Sequence, residues 1–253
     1  RVAAVSKLED LPPAESHTAL VRMLEDPIVS VRTEAARILS RSPQTLFEEK
    51  DFKLFRQVFQ ELKKRFEYNL DRPESHLSLG ILAENQNDQV LAEQHYRSAI
   101  MRESTFVPAR MNLATLLSRR GRNREAEKLL RQAIRLQPTW GQAYYSLGLL
   151  LAEDRSRLPE ATRTLEKATS FSNDNPRIFN NLAIAYWQQE EIDSAVNAFL
   201  RALEIEPVNQ EFLQNLLQLL VQRKRWSEAL PHARRMVELM PDNQQARSLL
   251  TQV

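Results

Sequence analysis

The stretch from Ser104 to Pro138, STFVPARMNLATLLSRRGRNREAEKLLRQAIRLQP, decides the fold, because its pattern returns along much of the chain. Leucine recurs at steps of 34 or 35 residues, at Leu79, Leu113, Leu147, Leu182, Leu216 and Leu250. Small residues keep the same period, at Ala92, Ala126, Ala161, Ala195 and Ala229. A period of about 34 residues is typical of helix–turn–helix repeats that stack into a solenoid. The sequence therefore predicts an all-α fold.

The spacing of the small residues indicates how the two helices of a repeat pack. Ala126 and Ala133 are seven residues apart, so they share one face of a helix. Small side chains on that face allow a neighbouring helix to approach closely, and Leu113 is expected to fill the remaining space. One helix pair cannot bury its apolar face alone, whereas stacked pairs make a continuous core.

Prolines close three of the units, at Pro138, Pro207 and Pro241. This skeleton of leucine, alanine and closing proline resembles the tetratricopeptide repeat family. The resemblance implies a right-handed α-solenoid, with five units over residues 73–243, namely 73–106, 107–140, 141–175, 176–209 and 210–243. The extra residue of the third unit is expected in the loop around Asp154 to Pro159, where insertions cost little. Residues 244–253 begin another first helix and are expected to form a capping helix.

The residues before this array follow a different pattern. Four residues recur after a shift of 31, with Arg1, Ala4, Leu8 and Pro12 returning as Arg32, Ala35, Leu39 and Pro43. Together with the break at Asp26-Pro27, the pattern resembles short HEAT-type repeats over residues 1–50, the first of them truncated. Residues 51–72 carry an apolar face at helical spacing, formed by Phe52, Phe55, Phe59, Leu62 and Phe66. We interpret this segment as a connecting amphipathic helix rather than a ligand-binding aromatic stripe.

The composition argues against an enzyme and against several kinds of ligand. There is no cysteine, and the net charge of +2 provides no general attraction for nucleic acid. No apolar run is long enough to span a membrane. The four histidines, His17, His76, His95 and His232, lack a carboxylate cluster at metal-ligand spacing, and packing is the expected role of His76. No glycine-rich phosphate loop or nucleophile motif occurs, so we expect no catalytic site, metal or cofactor.

The family resemblance implies that the first helix of each unit lines an inner groove. The candidate partner-binding residues on those helices are Met111, Asn112, Tyr145, Leu149, Asn180, Asn181, Ile184, Trp187, Gln214 and Asn215. Tyr145 and Trp187 are residue types that anchor interfaces. Asparagine both donates and accepts hydrogen bonds, so a row of amides can pair with the backbone of an extended peptide. The alternative is that these side chains only pad the groove wall.

Charge is distributed unevenly along the array. The unit at residues 107–140 has a net charge of +6, whereas the unit at 176–209 has −3. Four arginines of the basic unit, Arg119, Arg120, Arg122 and Arg124, cluster near the predicted turn between its helices. We interpret them as a basic patch that could attract an acidic partner, with an ordinary solvated surface as the alternative.

The leading functional hypothesis is a non-catalytic protein–protein interaction scaffold that binds a partner protein or extended peptide in its concave groove. The order of the repeats also resembles the C-terminal region of bacterial multihaem c-type cytochromes, in the segments DRPESHLSLGIL, FVPARMNLATLLSRRGR and YYSLGLLLAE. That resemblance implies a periplasmic accessory domain that docks, assembles or dimerises, or that packs on a domain preceding Arg1. A structural spacer without a specific partner is the third alternative.

Overall fold

The chain is helical throughout the part that the computed structural model describes, which is residues 1–241, 247, 248 and 250. Residues 1–241 form fourteen α-helices and contain no strand, which confirms the predicted all-α fold for this range. The helices are α1 Val2–Ser6, α2 Pro13–Met23, α3 Val29–Leu39, α4 Glu49–Glu67, α5 Pro73–Asn85, α6 Gln89–Arg102, α7 Val107–Arg119, α8 Asn123–Leu136, α9 Gly141–Ala152, α10 Leu158–Phe171, α11 Pro176–Gln188, α12 Ile192–Ile205, α13 Gln210–Gln222 and α14 Trp226–Leu239. The predicted capping helix, residues 244–253, lies largely outside the described residues. Three of its residues are described, Arg247, Ser248 and Leu250, and they are helical.

The chain divides into two compact units, Arg1–Leu116 and the part that starts at Leu117. In the first unit, the core collects side chains of α2, α3 and α4, including Leu20, Leu39 and Phe59. The aromatic face of α4 packs into this core, where the rings of Phe55 and Phe59 lie 5.4 Å apart between centroids. These phenylalanines therefore serve packing, as the sequence interpretation proposed.

The second unit contains three antiparallel helix pairs, α9 with α10, α11 with α12, and α13 with α14. Alanines of the 34-residue period, such as Ala161 and Ala195, are fully buried where the helices meet. Leu165, Phe199 and Leu216 belong to one continuous apolar core. Burial of this core from water supplies the main stabilisation of the stacked pairs.

Close approach of the two helices of a pair is visible at two glycines of the first helices. A Cβ atom added to Gly80 on α5 would lie 2.4 Å from Cε1 of Tyr96 on α6. One added to Gly148 on α9 would lie 2.6 Å from Cγ of Leu165 on α10. At both positions the nearest atoms belong to a core side chain of the second helix, so that side chain limits the size of the residue.

The turn between the two helices of a pair uses a left-handed residue in four of the five pairs. These residues are Asn87, Gly121, Glu190 and Lys224, with φ values of 61°, 72°, 63° and 57°. At each turn the next amide closes the helix, as Asp88 N donates to the Ala83 carbonyl over 2.9 Å and Arg225 N to the Leu220 carbonyl over 2.8 Å. This geometry is the Schellman ending of a helix. In the remaining pair, a 3₁₀ turn at Arg155–Arg157 joins α9 to α10.

Within residues 1–241 and the few that are described beyond them, no helix is both long enough and apolar enough to cross a bilayer.

Candidate partner-binding groove

Three first helices of the second unit, α9, α11 and α13, carry most of the predicted groove residues. Asparagine fixes the start of two of them. The Asn175 side chain accepts a hydrogen bond from Arg177 N over 3.1 Å, and the Asn209 side chain accepts one from Phe212 N over 3.1 Å. Asparagine is favoured at this position because its oxygen satisfies an otherwise unpaired amide of the first turn. The caps set where each helix begins, and thereby which residues face the groove.

Hydrogen bonds between amide and hydroxyl side chains link these helices. Asn181 Nδ2 on α11 donates to the Tyr145 hydroxyl on α9 over 2.7 Å. Asn215 Nδ2 on α13 donates to Asn180 Oδ1 on α11 over 3.0 Å. Burial raises the pKa of the Tyr145 hydroxyl, although the hydrogen bond from Asn181 partly opposes that shift. The hydroxyl therefore stays protonated at neutral pH and keeps a proton to donate.

A cavity of about 400 Å³ opens between α11 and α13. Ile184 and Trp187 provide its apolar lining, and Gln218 and Gln222 provide amides that face them from α13. At one end of the cavity, Arg223 pairs with Glu190, the left-handed residue of the preceding turn. An aromatic ring beside several amides can hold an apolar side chain and the peptide backbone next to it.

The predicted groove residues differ in how much surface they expose. Leu149 and Gln214 are exposed, and six others are half-buried, namely Asn112, Tyr145, Asn181, Ile184, Trp187 and Asn215. Met111 and Asn180 keep only 7% and 3% of their surface accessible. Asn180 contributes indirectly, because its oxygen holds the amide of Asn215 in place. Met111 and Asn180 therefore have little surface with which to contact a partner.

The four predicted basic-patch arginines lie where α7 ends and α8 begins. Arg119 is the last residue of α7, Arg120 and Arg122 flank the left-handed Gly121, and Arg124 lies in the first turn of α8. Arg122 forms two bonds with the Glu125 carboxylate, of 2.7 Å from Nε and 2.8 Å from Nη2. That pairing offsets part of the positive charge of the patch.

A pair of histidines in the first unit went unrecognised in the sequence. His76 Nδ1 on α5 lies 3.1 Å from His95 Nδ1 on α6, so one imidazole donates to the other. The helix-pair geometry brings these rings together, although they are 19 residues apart in sequence. Burial is the main cause that lowers the pKa of both. Among the described residues, no group of three or more His, Cys, Asp or Glu side chains is placed to hold a metal ion.

The sequence pattern of the family described as tetratricopeptide repeat matches residues 111–176 and 180–244, more than half of the chain. The chain belongs to the tetratricopeptide repeat family. Proteins of this family generally act as scaffolds that bind proteins or peptides. The HEAT-like interpretation of residues 1–50 and the cytochrome resemblance stay predictions.

Solved tetratricopeptide repeat structures share this fold. YrrB, described as a TPR protein with an unusual peptide-binding site, superposes with a TM-score of 0.59 at 18% identity, covering 73% of this chain and 95% of YrrB. The pilF protein of Pseudomonas aeruginosa superposes with a TM-score of 0.63 at 17% identity, covering 87% of this chain and 99% of pilF. At such identities the likeness shows the fold alone.

One curated relative is the human protein O-mannosyl-transferase TMTC3, which is 31% identical over 157 residues. The match covers 56% of this tetratricopeptide repeat chain but 17% of that transferase. The chain thus spans about a sixth of the length of the curated relatives that it matches first.

Proposed function

We propose that this tetratricopeptide repeat chain is a non-catalytic scaffold that binds an extended peptide segment of a partner protein along α9, α11 and α13. The observation that carries the proposal is the cavity between α11 and α13, where Trp187 and Ile184 lie opposite Gln218 and Gln222. Its volume of about 400 Å³ falls within the range of about 300–1,000 Å³ usual for ligand sites. The cavity is large enough to receive an apolar side chain of the partner.

The amides beside the cavity favour an extended partner backbone. Asn181 and Asn215 are half-buried, and each has one amide proton engaged within the chain. A primary amide has two protons and an acceptor oxygen, so each retains capacity to pair with a peptide group. Backbone pairing supplies affinity without reading the sequence, whereas the cavity beside Trp187 selects the apolar side chain.

In this proposal the chain contributes binding and no catalytic residue. The relatives named as transferases are about six times longer than the matched part. The transferase activity in their name is therefore a statement about those whole proteins.

The proposal is tested by selecting peptides from a displayed random library on the wild-type chain and measuring the affinity of the enriched peptides. Trp187→Ala should weaken their binding by roughly 30-fold, the loss expected for an interface anchor worth about 2 kcal/mol. Trp226→Ala is the matched control, because Trp226 is also half-buried but does not line the cavity. Enriched peptides that bound wild type and Trp187→Ala equally well would remove the groove as the binding site.

A further inference from the structure

A second cavity of about 400 Å³ lies in the second unit, between α8, α9 and α10. It shares no residue with the cavity beside Trp187. One side is apolar, formed by Ile134, Tyr144 and Leu147, and the rim carries the cations Arg135, Arg163 and Lys167. This combination of an apolar wall and a cationic rim differs from the amide-rich groove, so it fits a different ligand.

Within the described part of the chain, the cavity lining includes one carboxylate, Glu160, which is paired with Arg131 and Arg157. Arg135, Arg163 and Lys167 are exposed and take part in no ion pair there. Arg131, which also lines the cavity, differs from them because it pairs with Glu160 over 2.5 Å and with Glu127 over 2.8 Å. Like charges gathered around a cavity attract an oppositely charged ligand, so the complementary ligand is an anion.

The apolar wall indicates that the anionic ligand also carries apolar groups. The Tyr144 hydroxyl donates to the Pro138 carbonyl over 3.0 Å, and its ring lies 5.4 Å from the ring of Phe171 between centroids. These contacts fix the tyrosine ring as part of the wall, and Phe171 extends the apolar surface with 43% of its area exposed. A free phosphate or a nucleic-acid backbone would leave this wall uncovered, whereas a peptide side chain would cover it.

We propose that this cleft, formed by Ile134, Arg135, Tyr144, Leu147, Arg163 and Lys167, binds an acidic peptide segment of a partner protein. Carboxylates of the segment face the three cations, and an intervening leucine or aromatic side chain packs against Ile134, Tyr144 and Leu147. The cleft gives the chain a second, chemically distinct contact with a partner. Two contacts on one chain raise the overall affinity when both can be engaged together.

The test measures fluorescence anisotropy of labelled acidic peptides with the whole chain. Each peptide carries two apolar residues, Leu, Phe or Trp in turn, flanked by Glu and Asp, and a reference peptide of equal charge carries Ser in their place. At least one apolar peptide is expected to bind saturably and about tenfold more tightly than the serine peptide. The triple variant Arg135→Gln, Arg163→Gln, Lys167→Gln should weaken its binding by about tenfold or more, since each exposed pair contributes modestly.

The matched control removes the same charge elsewhere. Lys53→Gln, Arg56→Gln, Arg234→Gln changes three exposed cations that do not line the cleft, and it should change binding by less than about twofold. Equal losses in the two triple variants would show a general charge effect and overturn the proposal. So would equal binding of the serine peptide, displacement by inorganic phosphate or a short oligonucleotide at lower concentration than peptide, or no saturable binding of any apolar peptide. Trp187→Ala should leave this binding unchanged, so the two proposals can fail separately.

Discussion

At the scale of single residues, the side chains at equivalent positions of the two helices of a repeat are complementary in size. Equivalent positions of the five first helices hold Gly80, Ala114, Gly148, Ala183 and Leu217. The second helices hold Tyr96, Leu130, Leu165, Phe199 and Ala233 at equivalent positions, and the structure shows the close approach of Gly80 to Tyr96 and of Gly148 to Leu165. A small residue on one helix thus accompanies a large residue on the other, and the last pair reverses the order. A small residue opposite a large one avoids the overpacking that two large residues would cause.

This compensation predicts the cost of changing one partner alone. Gly80→Ala places a methyl group against the fully buried ring of Tyr96, 2.4 Å from Cε1. We expect a loss of about 1–3 kcal/mol in the free energy of unfolding, measured by urea denaturation. The double variant Gly80→Ala, Tyr96→Leu recreates the pair of the following repeat, so it should cost less than the two single changes added together. Additive costs would contradict the size compensation.

The paired histidines predict a pH dependence of stability. Burial lowers the pKa of His76, aided by the charge of Arg102, and burial also lowers that of His95, aided by His76 and Lys63 and opposed by Glu67. In the unfolded chain both titrate near ~6.5, so the unfolded state binds more protons once the pH falls below that value. Stability is therefore fully present above ~6.5 and falls as the pH drops toward the lower pKa of the folded state.

His95→Gln tests this expectation, because glutamine retains a hydrogen-bond donor but does not titrate. The free energy of unfolding of the variant should vary less with pH between roughly 5 and 6.5 than that of the wild type. Gln94→Ala is the control on the same helix, because Gln94 is exposed and neither side chain titrates. An unchanged slope for His95→Gln would show that the histidine pair does not govern this range.

At the scale of the helix pair, substitutions at two left-handed turn residues should change the free energy of unfolding in opposite directions. A Cβ on Gly121 would meet no atom within 4 Å, so Gly121→Ala adds only backbone strain at φ 72°. We expect it to cost about 1–2 kcal/mol, whereas Lys224→Gly at φ 57° should stabilise the fold by up to ~1 kcal/mol. Both are read from urea denaturation. Lys128→Gly inside α8 should destabilise by ~1 kcal/mol; a stabilising Lys128→Gly would show that φ does not set the sign.

The 34-residue period was sufficient to predict helix pairs, because leucine and alanine must return to the same seam in every repeat. The turn conformation was less predictable. Gly121 signals a left-handed residue and Asn87 tolerates one, but Glu190 and Lys224 carry no such signal. Their backbone is set by packing of the two flanking helices, a tertiary effect that a local pattern does not contain.

The groove residues could be predicted from the sequence better than the cleft between α8, α9 and α10, because the cleft depends on tertiary packing. The family resemblance placed Tyr145, Asn181 and Trp187 on neighbouring first helices, and the structure brings Tyr145 and Asn181 into hydrogen-bond contact. The resemblance did not predict that the side-chain oxygen of Asn180 would accept a hydrogen bond from Asn215. The cationic cleft was missed because its residues come from three helices of two repeats, and their convergence appears only once those helices are packed.

At the scale of the whole molecule, the carboxylates and the histidines with lowered pKa both make the fold less stable as the pH falls. Arginine partners lower the pKa of several carboxylates, including Glu9 and Glu34 beside Arg37, and that of Glu127 beside Arg157 to about 2. Such groups stabilise the fold above their unfolded pKa of about 4.5, and the stabilisation is lost as the pH falls through the lower folded value. Histidines with lowered pKa add an earlier loss, below roughly 6.5.

The thermal midpoint, followed by circular dichroism, should therefore decrease in two stages as the pH is lowered. The second stage reflects partly exposed ion pairs such as Glu127 with Arg157, so 1 M salt should reduce it. The first stage reflects burial of neutral imidazoles and should respond less to salt. A single stage, or equal salt sensitivity of both stages, would contradict this assignment.

The hydrogen bonds from Asn181 to Tyr145 and from Asn215 to Asn180 have a consequence for inhibitor design. A compound that aims at these amides exchanges one satisfied hydrogen bond for another, and such an exchange returns little free energy for each atom added. A compound that inserts an apolar ring beside Trp187 displaces only water. Medicinal chemistry on this surface should therefore grow outward from that ring and add polar groups last.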